Sequence, residues 1–283
     1  MLTPRTDHLI DLALEEDAGL GDVTSRAIFP AAHRSRGVID ARQELVVCGL
    51  EVAARVFARV DPALQTRLLA RDGDRVKPGA LILRVEGPTA AMLTAERTVL
   101  NFLQRLSGIA TQARRYADAV AGTGVRIVDT RKTTPGWRAL EKYAVRTGGC
   151  GNHRSSLGEH VLIKDNHIAA ARSLARAVAL CRAAAPHGAK IEVEAKTLAE
   201  VKEALRARAE IILLDNMTPD QVRAAVKVIA GRAVVEISGG VKFDTLRAYA
   251  QPGVDVISIG ALTHSAVAAD LSLDVQPLRR PAR

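Results

Sequence analysis

Residues 191–216 read IEVEAKTLAEVKEALRARAEIILLDN and contain one complete strand–helix–strand unit. The apolar runs at residues 191–193 and 211–214 predict two short strands. Between them, Thr197 and Glu200 have the spacing of a capping box, in which each side chain bonds the other residue's backbone N–H, so they predict the start of a helix. Short, continuously apolar strands joined by a helix indicate a parallel sheet that is buried on both faces.

The same alternation continues on both sides of this unit. Further apolar strands are predicted at residues 126–128, 161–163, 234–237 and 256–259. A second capping box, Thr218 to Gln221 with Pro219 at the first helical position, predicts another helix. Six such strands alternating with helices favour an α/β fold, and this count fits an incomplete (β/α) barrel with fewer than eight strands as well as it fits a full barrel. An open, doubly wound sheet is the alternative that periodicity alone leaves open.

The first hundred residues have an α+β pattern instead. A helix is predicted at residues 7–16, and short strands are predicted at 37–41, 45–48 and 81–86. A long amphipathic helix is predicted to follow, with Thr94 as its N-cap. We therefore expect an N-terminal α+β domain at residues 1–110 and a barrel domain at residues 111–269.

Composition narrows the class of protein. The N-terminus lacks the apolar core of a secretory signal, and no stretch approaches the roughly 18 apolar residues that span a bilayer, so we expect a cytoplasmic enzyme without a membrane partner. The three cysteines show no disulfide or zinc-binding spacing. The net charge of +9 favours an anionic partner. Because only 3% of the residues are aromatic, side chains on which nucleic-acid bases stack are scarce, and small phosphates are the favoured partner over nucleic acid.

Each predicted barrel strand is followed by polar or glycine residues. These segments are residues 129–132, 164–167, 194, 215–216, 238–240 and 260. In a parallel barrel the carboxyl ends of the strands converge on one face, and active sites are built there. The sequence therefore predicts the active site at this face.

The segment 131–164 is strongly basic, with seven Lys or Arg residues against two Glu. Arginine grips a carboxylate or phosphate with a planar fork, and lysine supplies a compact charge, so a mixture suits a substrate with several anionic groups. Arg131, Lys132 and Lys164 follow buried strands, where an unpaired charge is costly. We therefore interpret these three as anion-binding residues.

Three other basic residues of this segment, Arg138, Lys142 and Arg146, are spaced four apart on a predicted helix. This spacing is typical of a solvated basic face, which is the interpretation that we favour for them. His153 and Arg154 follow a glycine-dense loop, whose backbone can approach a ligand closely. We predict a ligand-binding or proton-handling role for His153 and anion binding for Arg154.

Glu194 and Asp215 end successive strands and are predicted to face one pocket. Two carboxylates beside a phosphate site commonly serve Mg²⁺, which keeps several of its waters, so we expect Mg²⁺ to be held there through water. A contact with a ribose is equally compatible with this position, and ion pairing with the neighbouring lysines is the alternative.

Glycine follows each of the last two strands. Ser238, Gly239 and Gly240 come after the fifth strand, and Ser258 and Gly260 come at the end of the sixth. Exposed backbone N–H groups at this position of α/β barrels frequently hold a phosphate. The sequence therefore predicts a phosphate site between these two strand ends.

Several motifs together resemble one enzyme family. They are ERTVLN at 96–101, DTRKTTPG at 129–136, KYAVR at 142–146, NHR at 152–154, LIKDNH at 162–167, EVE at 192–194, LLDN at 213–216 and SGG at 238–240. The chain resembles the quinolinate phosphoribosyltransferases over nearly its whole length. The resemblance implies an N-terminal sandwich domain joined by the C-terminal tail 270–283, and a homodimer with shared active sites or a higher oligomer.

The resemblance also implies a role for each candidate residue. It assigns quinolinate to Arg97, Arg131, His153, Arg154 and Lys164, with Arg97 reaching in from the other subunit. It assigns phosphoribosyl pyrophosphate and Mg²⁺ to Lys132, Glu194 and Asp215, which with Lys164 are the predicted catalytic residues. It assigns the 5-phosphate to the loops at Ser238 and Gly260.

The reaction that the resemblance implies is phosphoribosyl transfer to quinolinate with decarboxylation, which yields nicotinate mononucleotide, pyrophosphate and CO₂ for NAD biosynthesis. No organic cofactor is expected, because the cationic ring nitrogen accepts the electrons that CO₂ leaves behind. His153, Lys164 and water stay open as the proton donor. The alternatives are an enzyme for a monocarboxylate pyridine, a noncatalytic anion-binding relative and a nucleic-acid-binding protein.

Overall fold

The computed structural model describes residues 2–278. The helices are α1 (Pro4–Ala18), α2 (Val23–Ile28), α3 (Leu50–Val60), α4 (Thr89–Ala119), α5 (Arg138–Thr147), α6 (Asp165–Ala171), α7 (Leu174–Ala184), α8 (Leu198–Arg206), α9 (Pro219–Ile229), α10 (Leu246–Tyr249) and α11 (Ala261–His264). The strands are β1 (Arg34–Ala41), β2 (Leu45–Val46), β3 (Gln65–Leu68), β4 (Arg75–Val76), β5 (Leu81–Pro88), β6 (Arg126–Val128), β7 (Val161–Ile163), β8 (Ile191–Ala195), β9 (Ile211–Asp215), β10 (Val234–Ser238), β11 (Val256–Ser258) and β12 (Leu271–Pro277).

The chain divides into two compact units. The first runs up to Arg114, includes Thr134–Gly149 and resumes at Ser265, and the second comprises Arg115–Thr133 and Cys150–His264. The helix α5 thus groups with the first unit, whereas the sequence-based division placed residues 134–149 in the barrel domain. Its contacts explain this grouping, because Arg105 donates to the buried Glu141 at 2.7 Å and the Phe102 ring stacks on Trp137 at 4.6 Å.

The first unit contains an antiparallel sheet with the strand order β12-β1-β5-β3 and a separate small sheet of β2 and β4. Strand β1 is central, and its residues alternate between exposed and buried over its first half. The C-terminal strand β12 pairs along β1 from Leu271 opposite Ala41 to Pro277 opposite Ser35. The last five residues of the tail predicted to join this domain, 279–283, lie outside the described part of the chain.

The second unit contains the six predicted strands, all parallel, in the order β6-β11-β10-β9-β8-β7. The first strand of the unit pairs with the last, so the sheet winds in one direction and lacks the reversal of strand order that defines a doubly wound sheet. Its edges are β6 and β7. The prediction of an incomplete barrel with fewer than eight strands is confirmed, and the doubly wound alternative is wrong.

Helix starts were predicted with mixed success. Both capping boxes are present, at Thr197 and Glu200 before α8 and at Thr218 and Gln221 before α9. The prediction of Thr94 as an N-cap is wrong, because α4 begins five residues earlier and Thr94 donates its hydroxyl to Ala90 O at 2.9 Å within the helix. The alanines that follow Thr89 are strong helix formers and extend the helix toward β5.

Within residues 2–278, no helix combines the length and the apolar content that crossing a bilayer requires. The cytoplasmic location and the lack of a nucleic-acid partner stay predictions.

Candidate active site

The carboxyl ends of the strands of the second unit surround a cavity of about 770 Å³. The predicted site residues that line it are Arg131, Lys132, His153, Arg154, Lys164, Glu194, Asp215, Ser238, Gly239, Gly240, Ser258 and Gly260. Arg97 does not line this cavity, and it is exposed on α4 in the first unit. The fold therefore assembles the predicted residues of the barrel into one site, while the substrate that each one binds stays a prediction.

The basic segment 131–164 is divided between the two units. Arg138, Lys142 and Arg146 lie on α5 in the first unit and do not line the cavity. The interpretation of these three as one solvated face is wrong for Lys142, which is only 3% exposed. A four-residue spacing places side chains on one side of a helix, but it does not tell which surface packs over that side.

The loop that carries His153 and Arg154 is anchored to the end of β6. The Gly151 N–H donates to Ile127 O at 2.8 Å, so Gly151 forms an isolated parallel bridge with Val128 of β6. Asp129, which is fully buried, accepts hydrogen bonds from Asn152 Nδ2 at 2.7 Å and from the His153 N–H at 2.9 Å. Because both oxygens of this carboxylate are engaged, the backbone that presents His153 and Arg154 is fixed.

His153 lies between two buried carboxylates. Its Nε2 is 3.4 Å from Glu192 Oε2 and 3.4 Å from Glu236 Oε1. Burial disfavours the charged ring, but hydrogen bonds and charges from Glu192 and Glu236 outweigh it and raise the pKa of His153 to about 9. The Arg154 N–H donates to Nδ1 of His153 at 2.8 Å. Nδ1 accepts this bond only while it carries no proton, so the bond is lost when the ring takes up a second proton there.

The two arginines of the cavity repel each other. Burial lowers the pKa of Arg154 from its ordinary value, and the nearby charge of Arg131 lowers it further. Arg154 donates from Nη1 to His160 O at 3.1 Å. This carbonyl oxygen is neutral, so the bond does not balance the charge of the guanidinium group. An anion that contacted both guanidinium groups would relieve the repulsion, and a carboxylate fits their planar forks.

The acidic side of the cavity is formed by Glu194 and Asp215 at the ends of neighbouring strands β8 and β9. Lys164 Nζ donates to Glu194 Oε2 at 3.2 Å, which is the ion pairing that the sequence left as an alternative. Lys196 Nζ is held by Asp165 at 2.6 Å, and both side chains line the cavity.

Sequence reasoning missed Glu192 and Glu236 as site residues. Both lie inside continuous apolar strands, in the runs IEVEA and VVEIS, and are 0% and 4% exposed. A carboxylate in such a run is itself a signal, because a charge buried between two packed faces needs a nearby partner. His160 gave no such signal, since only the fold brings its Nε2 to 2.9 Å from Glu192 Oε2.

Comparison with known proteins agrees with the architecture of both units. The family model described as the N-terminal domain of quinolinate phosphoribosyl transferase matches residues 22–107, and the model of its C-terminal domain matches residues 109–274. A protein of Bacillus subtilis (strain 168) described as "probable nicotinate-nucleotide pyrophosphorylase [carboxylating]" is 44% identical over 260 residues, which cover 92% of this chain and 90% of the relative.

Two further relatives show the same similarity. A Nicotiana glauca protein named "quinolinate phosphoribosyltransferase [decarboxylating] 1" is 41% identical, with coverage of 94% of this chain and 81% of the relative. The crystal structure of NadC from Streptococcus pyogenes is 40% identical and superposes with a TM-score of 0.94 over 99% of both chains. The chain therefore belongs to the quinolinate phosphoribosyltransferase family.

Proposed function

We propose that the chain transfers the phosphoribosyl group of phosphoribosyl pyrophosphate to quinolinate and decarboxylates the product. The products are nicotinate mononucleotide, pyrophosphate and CO₂, and the reaction belongs to NAD biosynthesis. The observation that carries this proposal is a single cavity in which Arg131, Arg154 and Lys164 converge with the acidic pair Glu194 and Asp215. The names of the relatives, which describe the same reaction in both directions, support it.

The cationic side of the cavity suits the two adjacent carboxylates of quinolinate. Arg131 and Arg154 supply two planar forks, and Lys164 supplies a compact charge. A dicarboxylate that contacts these groups offsets their mutual repulsion and is held in one orientation. Such positioning can remove several kcal/mol of the barrier when the reacting atoms are about 3 to 3.5 Å apart.

The transfer step develops positive charge on the ribose and negative charge on the leaving group, and both must be stabilised. The pyridine nitrogen bonds to the anomeric carbon as the bond to pyrophosphate breaks, and positive charge develops on the ribose. Glu194 and Asp215 stabilise this positive charge, and Lys132 neutralises the departing pyrophosphate. The hydrogen bond from Lys164 to Glu194 holds the acidic and cationic sides at a fixed separation before substrate enters.

Decarboxylation follows from the charge that transfer creates. The ring nitrogen is cationic after it has bonded to the ribose. When the adjacent carboxylate leaves as CO₂, the electron pair of the broken bond stays on the ring carbon, where the positive charge of the nitrogen stabilises it. The carbon then takes a proton, and His153 and Lys164 both line the cavity with exchangeable protons. No organic cofactor is needed for this step.

We propose Mg²⁺ as the metal of the reaction. Glu194 and Asp215 fit it, because they present hard carboxylate oxygens in the same cavity as Lys132 and the glycine loops. These two residues would hold the ion through water, and the bound ion would neutralise pyrophosphate oxygens. We expect chelation with EDTA to lower turnover about tenfold and added Mg²⁺ to restore it. Full turnover in EDTA would contradict the proposal.

The loop after β10 is predicted to hold the 5-phosphate, and Gly239 is its most constrained residue. Gly239 has φ +83°, and a Cβ there would lie 2.4 Å from Asn216 Oδ1. We expect Gly239→Ala to raise the KM for phosphoribosyl pyrophosphate about tenfold, because strain of roughly 1–3 kcal/mol displaces the loop. Steady-state kinetics measures this, with Gly188→Ala, an exposed positive-φ glycine outside the cavity, as control. An unchanged KM in Gly239→Ala would remove the loop from the phosphate site.

We propose a homodimer in which Arg97 completes the active site of the other subunit. Its exposure on α4 leaves it accessible to a second chain. Arg97→Ala and Lys164→Ala should each be inactive alone. When equal amounts are mixed and subunits exchange at random, half of the dimers are hybrids, and each hybrid has one intact site of two. The mixture should therefore regain about a quarter of wild-type turnover. If subunit exchange is shown and turnover still does not rise on mixing, the proposal that Arg97 completes the active site of the other subunit is contradicted.

Substrate preference tests the proposed function against its nearest alternative. We expect kcat/KM for quinolinate to exceed that for nicotinate by at least about 100-fold, since a monocarboxylate leaves part of the cationic side unpaired. An equal kcat/KM for nicotinate would contradict the proposal and favour an enzyme for a monocarboxylate pyridine. Absence of any CO₂ release with both substrates and Mg²⁺ would favour a noncatalytic anion-binding protein.

A further inference from the structure

Four titratable side chains form a cluster beside the cavity, and two of them, His153 and Glu236, line it. We call His153, His160, Glu192 and Glu236 the His–Glu cluster. Glu192 Oε2 is 2.9 Å from His160 Nε2 and 3.4 Å from His153 Nε2, and Glu236 Oε1 is 3.4 Å from His153 Nε2. The two imidazole rings are 5.0 Å apart. One ligand atom from each of His153, His160 and Glu192 lies within 4.8 Å of the other two.

The two distances from Glu192 Oε2 are close to the edges of a tetrahedral zinc site, and the ligand nitrogens of His153 and His160 lie within 4.8 Å of each other. Zinc binds histidine nitrogen and carboxylate oxygen at about 2.0–2.2 Å, so neighbouring ligand atoms in a tetrahedron are about 3.3–3.6 Å apart. The contacts of 2.9 and 3.4 Å around Glu192 need only small side-chain movements to reach this spacing. Two imidazoles also select zinc over Mg²⁺, which prefers an all-oxygen, octahedral set.

The buried carboxylates supply a second reason for a cation. Glu192 is completely buried, and its Oε1 has no hydrogen-bond partner among residues 2–278. Glu236 is 4% exposed and adds a second buried negative charge. A divalent ion would balance both carboxylates without requiring a protonated, buried imidazole.

We propose that the His–Glu cluster binds one Zn²⁺ through His153, His160 and Glu192, with Glu236 or water as the fourth ligand. Zinc bonds to Nε2 of both imidazoles, so each ring keeps one proton on Nδ1, and any second proton that His153 carries is released to solvent. The hydrogen bond that Nδ1 accepts from the Arg154 N–H is then lost. Zinc thus occupies Nε2 of a histidine that lines the cavity and removes one hydrogen bond from the loop of Arg154, so we expect it to inhibit the enzyme. Zinc binding itself does not depend on the proposed function.

His160 allows a test that leaves the cavity lining intact, because its side chain does not line the cavity. Zinc affinity is measured by competition with a chromophoric chelator on the full chain, with excess Mg²⁺ present to fill all-oxygen sites. The variants are His160→Gln and His160→Asn, and the matched control is His187→Gln, which changes an exposed histidine of the same unit. Circular dichroism establishes that each variant is folded.

The wild-type chain should bind one Zn²⁺, and each folded His160 variant should bind it at least about tenfold more weakly, since even the loss of an outer-shell partner costs 10- to 100-fold. His187→Gln should bind like the wild type. Co²⁺ should give the intense visible absorption of a four-coordinate site in the wild type and lose it in the His160 variants. Absence of Zn²⁺ binding by the wild type, or equal affinity in a folded His160 variant, would overturn the proposal.

Discussion

Arg154→Ala is expected to lower kcat/KM for quinolinate about 100-fold, with quinolinate binding weakened by at least about 1.5 kcal/mol. The guanidinium lies in a cavity beside Arg131, and burial together with this neighbour disfavours its charge. A bound carboxylate supplies a counter-charge in direct contact with Arg154, so its energy of interaction with Arg154 is large. Without the side chain, the ring nitrogen of quinolinate is also less precisely oriented, which lowers kcat/KM further.

The expected loss in Arg154→Ala is specific to one substrate. Steady-state kinetics with each substrate varied in turn should show a much smaller effect on the KM for phosphoribosyl pyrophosphate. Arg182→Ala is the matched control, because Arg182 forms an exposed ion pair with Glu210 at 2.7 Å in the same unit. Exposed pairs contribute about 0–1 kcal/mol, so activity should be unchanged in the control. Unchanged quinolinate affinity in Arg154→Ala would mean that the loop does not contact quinolinate.

Asp129→Ala is expected to reduce both stability and activity. The fully buried carboxylate accepts from Asn152 Nδ2 and from the His153 N–H, and its removal leaves both donors without this acceptor. Each donor that loses a hydrogen bond to a buried acceptor costs about 1–3 kcal/mol, so with two donors the free energy of unfolding should fall by about 2–6 kcal/mol. Because the loop of His153 and Arg154 loses its anchor, kcat/KM for quinolinate should also fall at least about 30-fold.

Denaturant unfolding and steady-state kinetics together test the role of Asp129. The control is Asp255→Ala, which removes a carboxylate that accepts from the Val235 N–H at 2.8 Å at the amino end of strand β10. This variant should lose stability without losing activity in the folded protein, because the amino ends of barrel strands serve stability. If Asp129→Ala kept wild-type kcat/KM while folded, the anchoring role of Asp129 would be wrong.

The barrel was predictable from local signals. Its strands are short apolar runs, and the polar residues after them, such as Lys164 and Asp215, are brought to one cavity because parallel strands share a carboxyl face. The capping boxes before α8 and α9 were predictable for the same reason, since a capping box is made by residues three apart.

Features that depend on distant packing were not predictable. The start of α4 was misplaced because Thr94 has the residue type of an N-cap but bonds within the helix, to Ala90. Lys142 was taken for a surface residue because helical spacing does not reveal which face packs. The meeting of His160 with Glu192 joins residues 32 positions apart, and no motif connects them.

The stoichiometry of the products tests the central claim most directly. The purified chain is supplied with quinolinate labelled in the carboxylate beside the ring nitrogen, phosphoribosyl pyrophosphate and Mg²⁺, and nucleotide, pyrophosphate and labelled CO₂ are measured together. Our account predicts equal amounts of nicotinate mononucleotide, pyrophosphate and CO₂, and no CO₂ when phosphoribosyl pyrophosphate is omitted. Nucleotide formation without CO₂, or CO₂ release without phosphoribosyl pyrophosphate, would contradict it.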